Sequence, residues 1–292
     1  MHYDPGKERR GQKLGQSFFK KILLFCFFAF LFFCNMHIYI YDDYVNTKKY
    51  DKALARIETR ITDLGLNGKI IRLGLLENIN EAVENEIKRG AKTIVAVGSD
   101  QTVNKIINAI ISAEINNQMR VETPLGIIPV GNVGNTIAET LGIGHEEEAG
   151  DVLSARRIEK LDIAQAGHSF FISQASIASQ GTVLEIEKDY SIEIMEPGEI
   201  NVINLSTFSD LPEEARANPR DKILELYIKT KAGRKLTKLN PSANQSLFSL
   251  KRLTIINQKH PLILDNAIEI PTPAEISVNR SLNVIVGKER KF

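Results

Sequence analysis

From residue 36 onward, short apolar runs alternate with helically spaced apolar stripes. His37 to Tyr41 reads as a strand, and Lys48 to Leu64 places Leu54, Ile57, Ile61 and Leu64 on one helical face before Gly65 stops it. Lys69 to Leu73 predicts a second strand. Asn80 to Arg89 predicts a helix that turns Ala82, Val83 and Ile87 inward and ends at Gly90. Thr93 to Val97 is an uninterrupted apolar run, the pattern of a strand covered on both faces, and the helix after it buries Val103, Ile106, Ile107 and Ile110. Leu125 to Pro129 makes a fourth strand, followed by a turn from Gly131 to Gly134 and a helix starting at Thr136 and running to Leu141. This alternation predicts a mostly parallel sheet with right-handed crossovers, in which ligands sit at the carboxyl ends of the strands.

After about residue 158 the period changes to two. Short alternating segments (Lys160 to Ala166, Ser169 to Ala175, Val183 to Ile186, Ser191 to Met195, Glu199 to Leu205, Ile223 to Lys229, Ser249 to Ile256, Ile276 to Val278, Leu282 to Val286) are separated by Gly, Pro and Asn turns. They predict a β-sandwich, with Asn240 to Ser246 as an unstructured loop. The expected division is an N-terminal segment 1–35, an α/β domain 36–158 and a β-sandwich domain 159–292.

The N-terminal segment differs in chemistry. Lys7, Arg9, Arg10, Lys13, Lys20 and Lys21 face only Asp4 and Glu8, and then Ile22 to Cys34 runs as 13 apolar residues. As a helix that run spans about 20 Å of a roughly 30 Å hydrocarbon layer. Phe33 before Cys34 is too bulky for a lipoprotein cleavage site, so export has little support. Translation from Met36 ranks first and a membrane anchor next. Both place the globular part in the cytoplasm, peripheral to or anchored at the inner membrane.

The whole chain has 292 residues, 43% of them hydrophobic, with 37 basic against 36 acidic side chains. This is the composition of a folded protein, and its balanced charge argues against a broad basic face for nucleic acid. Cys26 and Cys34 both lie in the apolar run, leaving the rest without a disulfide framework. The five histidines have no ligand spacing, so a zinc site is not expected. Glu146 to Glu148 reads as the acidic first turn of a helix, and Lys48, Lys49 and Lys52 as a solvated helix face.

Two turns carry candidate chemistry. Gly98, Ser99, Asp100, Gln101 and Thr102 lie between a buried strand and a helix, where small residues let backbone N–H groups close on a phosphate. Such a turn also arises with no ligand, Asp100 or Thr102 merely capping the helix. The second turn, Gly131, Asn132, Val133, Gly134 and Asn135, has the same strand-to-helix setting and opens on the same sheet edge. Neither matches the P-loop or the spaced-glycine dinucleotide pattern.

The runs TIVAVGSDQTVNKIINAI, PLGIIPVGNVGNTIAETLGI and RRIEKLDIA resemble, in order and spacing, the catalytic domain of bacterial diacylglycerol and sphingosine-type lipid kinases. That family's signature loop is Gly-Gly-Asp-Gly-Thr. ANPRDKILEL is similar to its acidic segment, and ILDNAIEIPTPAEISVNRSLNVIV to its closing strand pair. The resemblance implies a nucleotide-binding α/β domain and a β-sandwich, with ATP and Mg²⁺ in the cleft between them. It also implies phosphorylation of a lipid hydroxyl at a membrane surface, and it leaves a homodimer open. Carried across, Gly98, Asp100 and Thr102 match the signature loop, Gly131 and Asn135 the second phosphate-side loop, and Asp265 the general base; Asp221 falls where a metal ligand is expected. The chain departs from the pattern at Ser99 and Gln101, where a side chain is expected to strain a turn that needs positive φ or a close phosphate approach. It departs again at Thr136, at Arg220 and Lys222 flanking Asp221, and at Ala267. These departures keep a non-catalytic nucleotide- or lipid-binding relative in view, and the shared signature loop and two-domain layout keep an NAD kinase-like enzyme in view.

Overall fold

A computed structural model describes residues 36–74, 78–131, 134–207, 216–231 and 244–292. Strands β1 (His37–Tyr41), β2 (Gly68–Arg72), β3 (Thr93–Gly98) and β4 (Leu125–Pro129) run parallel in the order β2-β1-β3-β4. The three inner strands are buried along their whole length, while the edge strand β2 alternates between partly buried and exposed positions. This is the physical meaning of the apolar runs. Helices α1 (Asp51–Asp63) and α2 (Ile79–Lys88) connect the first three strands, and α3 (Asp100–Asn117) leads from β3 toward β4. A very short helix, α4 (Thr136–Thr140), and α5 (Glu146–Ala155) follow β4. α2 packs on α3 and α1 on α5, so helices cover strands whose own side chains carry no polar face. α5 begins with Glu146 to Glu148, as the acidic run predicts.

The second half consists of antiparallel strands. β5 (Ile158–Ala166) and the short β6 (Ser169–Phe171) lead into β7 (Gln174–Ala178), β8 (Thr182–Ile186), β9 (Tyr190–Ile194) and β10 (Gly198–Ile203). β11 (Leu224–Thr230), β12 (Asn244–Leu250), β13 (Arg252–Ile256), β14 (Leu262–Leu264), β15 (Ile268–Ile270) and β16 (Ala274–Ile285) complete the chain. Six of them form one sheet, in the order β12-β11-β10-β7-β14-β15. The others join the parallel strands in a ten-stranded sheet, whose path runs β2-β1-β3-β4-β16-β13-β8-β9 with β5 and β6 beside it. The fold class is therefore the expected one, an α/β lobe with a mostly parallel sheet followed by an antiparallel sandwich.

The join between the halves is β16, which differs from the two short strands predicted there. It is one continuous strand with an irregularity between Val278 and Arg280, where the ladder with β5 shifts register. Its first part, Ala274, Ile276 and Val278, lies in the sandwich core; its last part, Leu282, Val284 and Ile285, lies in the core of the parallel sheet. At Val284 it pairs in parallel with Leu125 of β4. Asn244 to Ser246 belong to β12 rather than to a loop, because β11 offers them a full antiparallel partner from Thr230 to Ile228. The remainder of that predicted loop, 240–243, and the apolar run 22–34 lie outside the described residues. Among the described residues no helix is long and apolar enough to cross a membrane.

Candidate functional site

β3 and β4 end side by side, with Gly98 opposite Pro129 in the ladder, so both candidate turns leave the sheet at the same edge. They form one unit. The N–H of Val130 donates to Gly98 O at 3.0 Å, and the N–H of Asp100 donates to Gly134 O at 2.6 Å. The Asp100 carboxylate accepts the N–H of Thr136 (2.9 Å), its hydroxyl (2.7 Å) and the N–H of Ile137 (3.0 Å). Asp100 thus caps α4 from another segment of the chain, and Thr136 is its partner. Burial pushes the Asp100 carboxyl up to about 6, against the pull of those three donors.

Gly131 and Gly134 both take positive φ, 90° and 77°, a conformation open to glycine at little cost. Asn135 closes the second turn by donating from Nδ2 to Gly131 O at 2.6 Å, and its Oδ1 is buried without a partner. Asn132 lies outside the described residues. Tyr44 donates its hydroxyl to Val130 O at 3.1 Å, and burial pushes it up to about 12, so it stays a donor at neutral pH. Tyr50 stacks edge-on against Tyr44 and lies against Gly131.

In the first turn the structure corrects an expectation. Neither Ser99 nor Gln101 has positive φ. Ser99 is the extended N-cap of α3 (φ −98°), and Gln101 lies in the helix's first turn, so side chains at both positions cost no backbone strain. Thr102 supports the turn. Its Oγ1 accepts the Ser99 N–H at 3.1 Å and donates to Asp42 Oδ2 at 2.6 Å. Asp42 is buried at the end of β1, and Lys105 Nζ lies 3.2 Å from its Oδ2. Motif reading missed both residues, although Asp42 stands at a strand's carboxyl end and Lys105 lies one turn beyond Thr102.

Asp265 reaches the same helix from the sandwich. It and Asn266 occupy the tip of the β14–β15 turn with φ of 47° and 53°, and the Ala267 N–H closes the turn on Leu264 O at 2.8 Å. The Asp265 carboxylate is buried. Oδ1 accepts the N–H groups of Ser173 (2.8 Å) and Gln174 (2.9 Å), and Oδ2 accepts the Ile172 N–H (2.9 Å) and Asn104 Nδ2 (2.8 Å). Burial raises its pKa and these four donors oppose the rise. They occupy the four acceptor sites that a carboxylate offers. Asn104, one turn into α3 and absent from the motif reading, also donates to Phe170 O at 3.2 Å and accepts Asn108 Nδ2 at 3.0 Å. Gln101 Nε2 approaches Asn266 O at 3.5 Å, spanning from the α/β lobe to the sandwich above this carboxylate.

The structure brings Asp100, Gln101, Thr102, Gly134 and Asp265 around the start of α3. Asp221 stands elsewhere, exposed on the approach to β11, with Oδ1 accepting the Ile223 N–H at 2.9 Å. Its neighbour Lys222 donates its N–H to Asp162 Oδ2 at 2.7 Å, and Arg220 lies over the Phe292 ring. A divalent ion needs clustered oxygen ligands, and this corner is laced with cations and backbone bonds instead, so it does not fit Mg²⁺. Among the described residues no three His, Cys, Asp or Glu side chains group as a metal site. At the two turns, Gly131 and Gly134 shape the second loop by positive φ, while the Ser99 and Asp100 N–H groups at the start of α3 are already engaged, by Thr102 Oγ1 and Gly134 O.

The fold, a mostly parallel α/β lobe followed by an antiparallel sandwich, is of the NAD kinase/diacylglycerol kinase-like class. Residues 37–166 match the family model of the diacylglycerol kinase catalytic domain. A diacylglycerol kinase of Bacillus subtilis (strain 168) is 27% identical over 152 residues, covering 51% of this chain and 47% of that protein. The match thus spans about half the length of that relative. The crystal structure of a diacylglycerol kinase from Bacillus anthracis str. Sterne superposes with a TM-score of 0.67 at 15% identity, over 87% of this chain and 98% of that one. A putative diacylglycerol kinase from the same strain gives 0.70 at 14%, with the same coverage. At such identities the likeness shows the fold.

Proposed function

We propose that this protein transfers the γ-phosphate of ATP, supplied as its Mg²⁺ complex, to the hydroxyl of a lipid such as a diacylglycerol-like alcohol at a membrane surface. One observation carries this reading: the start of α3 is shared by both halves of the reaction. Its first residue, Asp100, is bonded to Gly134 and Thr136 of the second turn, and Asn104, four residues on, holds Asp265 at 2.8 Å. Four residues of helix advance about 6 Å, so the two sites lie within reach of one transferred group.

In the proposed step the acceptor oxygen forms a bond to the γ-phosphorus as the bond to the β-phosphate oxygen breaks, releasing ADP. The hydroxyl proton passes to Asp265. Oδ2 takes it when Asn104 leaves the carboxylate and keeps its bond to Phe170 O. The backbone turns at Gly98 to Thr102 and Gly131 to Asn135 hold the triphosphate, and Lys105 supplies positive charge behind them. Lipid phosphorylation from radiolabelled ATP by the purified chain tests this reading; a mixed lipid extract, diacylglycerol and NAD serve as acceptors. Label in a lipid supports it, and label in NAD alone replaces it with the soluble-acceptor branch.

A second reading, a non-catalytic nucleotide- or lipid-binding relative, is favoured by the saturated shell of Asp265 and by Ala267, which adds no second carboxylate beside it. Nucleotide binding without any transfer would select it.

A further inference from the structure

The far end of α3 carries a second opening. A cavity of about 650 Å³ lies between the helix's last turns and the part of β16 where the ladder slips, with Asn279, Arg280 and Ser281 in its wall. Glu114, on its helical side, follows Asp100 by fourteen residues, so the cavity stands about 21 Å along the helix from the candidate site.

Its charge is one-sided. Arg120, Lys160, Lys222 and Arg280 line it, with Glu114 as the one carboxylate among the lining residues. That carboxylate is already engaged: Oε2 lies 3.2 Å from an Arg280 nitrogen, and Oε1 accepts the Val121 N–H at 2.8 Å. Arg120 pairs with Glu122 at 3.1 Å. Lys160 and Lys222 are exposed, and among the described residues no carboxylate forms a salt bridge with either ammonium; buried Asp162 acts on both from farther off. Asp162 also fixes the loop before β11, since its Oδ2 accepts the Lys222 N–H at 2.7 Å. Four separate segments thus bring like charges to one opening, where they repel one another until an anion enters. Ile115 and Met119 line the same cavity and are 49% and 46% exposed, an apolar surface beside the cations.

We propose that this cavity binds a phosphate monoester, its head held by Lys160, Lys222 and Arg280 and its apolar part resting on Ile115 and Met119. A monoester head carries close to two negative charges and three acceptor oxygens at neutral pH, which suits several converging donors. The site is distinct from the two turns at the start of α3, and it stands whether or not the phosphotransferase reading does. A free phosphorylated compound and a lipid phosphate head share this chemistry.

The test is calorimetric titration of the full chain with octyl phosphate, with octanol as the uncharged control. Octyl phosphate is expected to bind and octanol to bind far more weakly. Lys160→Gln and Lys222→Gln, each checked for a native circular dichroism spectrum, are expected to weaken octyl phosphate about tenfold. Lys52→Gln, the same charge change on α1, is expected to leave it unaltered. Both lysine variants leave the turns at the start of α3 intact, so binding at those turns would persist in them. No binding of octyl phosphate, octanol binding as tightly, an affinity undiminished in either lysine variant, or an equal loss in Lys52→Gln would overturn the proposal and leave these cations as a solvated surface. Co-sedimentation with phosphatidylcholine vesicles, with and without phosphatidic acid, separates the sources. Sedimentation that needs phosphatidic acid and is lost in the lysine variants assigns the site to a lipid head; octyl phosphate binding without sedimentation assigns it to a free compound.

Discussion

Asp100 is partly buried and Asp265 wholly so, and burial raises the pKa of both, yet they are held in different ways. Asp100 bonds within its own lobe, to the two residues that open α4, and so welds two loops into one support. Asp265 is held across the lobes, by three consecutive amides of the β6–β7 segment and by Asn104 of α3. In the proposed step the contrast separates scaffold from chemistry: the first carboxylate shapes the wall beside the phosphates, and the second is the one whose bonds change as the proton moves.

The strongest way to break this contrast is Asp265→Ala. It leaves three backbone N–H groups and an amide without an acceptor in the interior, so a stability loss of about 3 kcal/mol is expected in urea denaturation. Lipid phosphorylation is expected to fall by about 10²-fold or more. A variant that keeps its turnover would show that Asp265 serves only as structure. Asn104→Ala comes next. It removes the one side-chain donor to Asp265, with an expected stability cost of about 1–2 kcal/mol. A rate that moves with pH differently from the parent would mark Asn104 as positioning the base, whereas a uniform loss at every pH would mean it merely braces the interface.

Asp100→Ala uncaps α4 and unlinks the turns. A loss of about 1 kcal/mol is expected, together with a raised KM for ATP and a smaller change in kcat. Asp100 also carries a pH signature. Its folded pKa, about 6, lies above the unfolded value of 3.8, so between those limits the native state holds the extra proton. Its contribution to stability therefore falls as pH rises from about 4 to about 6. Asp100→Asn should flatten that window in denaturation midpoints, and an unchanged slope would assign the titration to another group. The smallest effect is expected from Gln101→Gly. Because the residue is already helical, the change should cost about 1 kcal/mol or less, with little gain in rate. A large gain would mean that the amide obstructs the cleft.

The parallel half of the fold was legible because β1, β3 and β4 are buried on both faces, and such strands announce themselves as unbroken apolar runs. The two turns were legible from their setting between strand and helix. What escaped was set by partners distant in sequence. Asp42 meets Thr102 across 60 residues and Asn104 meets Asp265 across 161, and no local pattern marks either pair. The irregularity after Val278 made β16 look like two strands, since the period-two signal slips where the ladder does. Ser99 and Gln101 looked costly only while the turn was taken to extend past Ser99; once the helix is seen to begin at Asp100, both become ordinary.

β16 has a mechanical consequence. Its two ends are anchored in different hydrophobic interiors, so it acts as a splint between the lobes. Large hinge opening would have to tear one end free, and clefts in this molecule must therefore widen by shifting loops and hairpin tips. The same splint couples the fates of the lobes during denaturation, so that melting either one should strip the other of a strand and both should go in a single cooperative step.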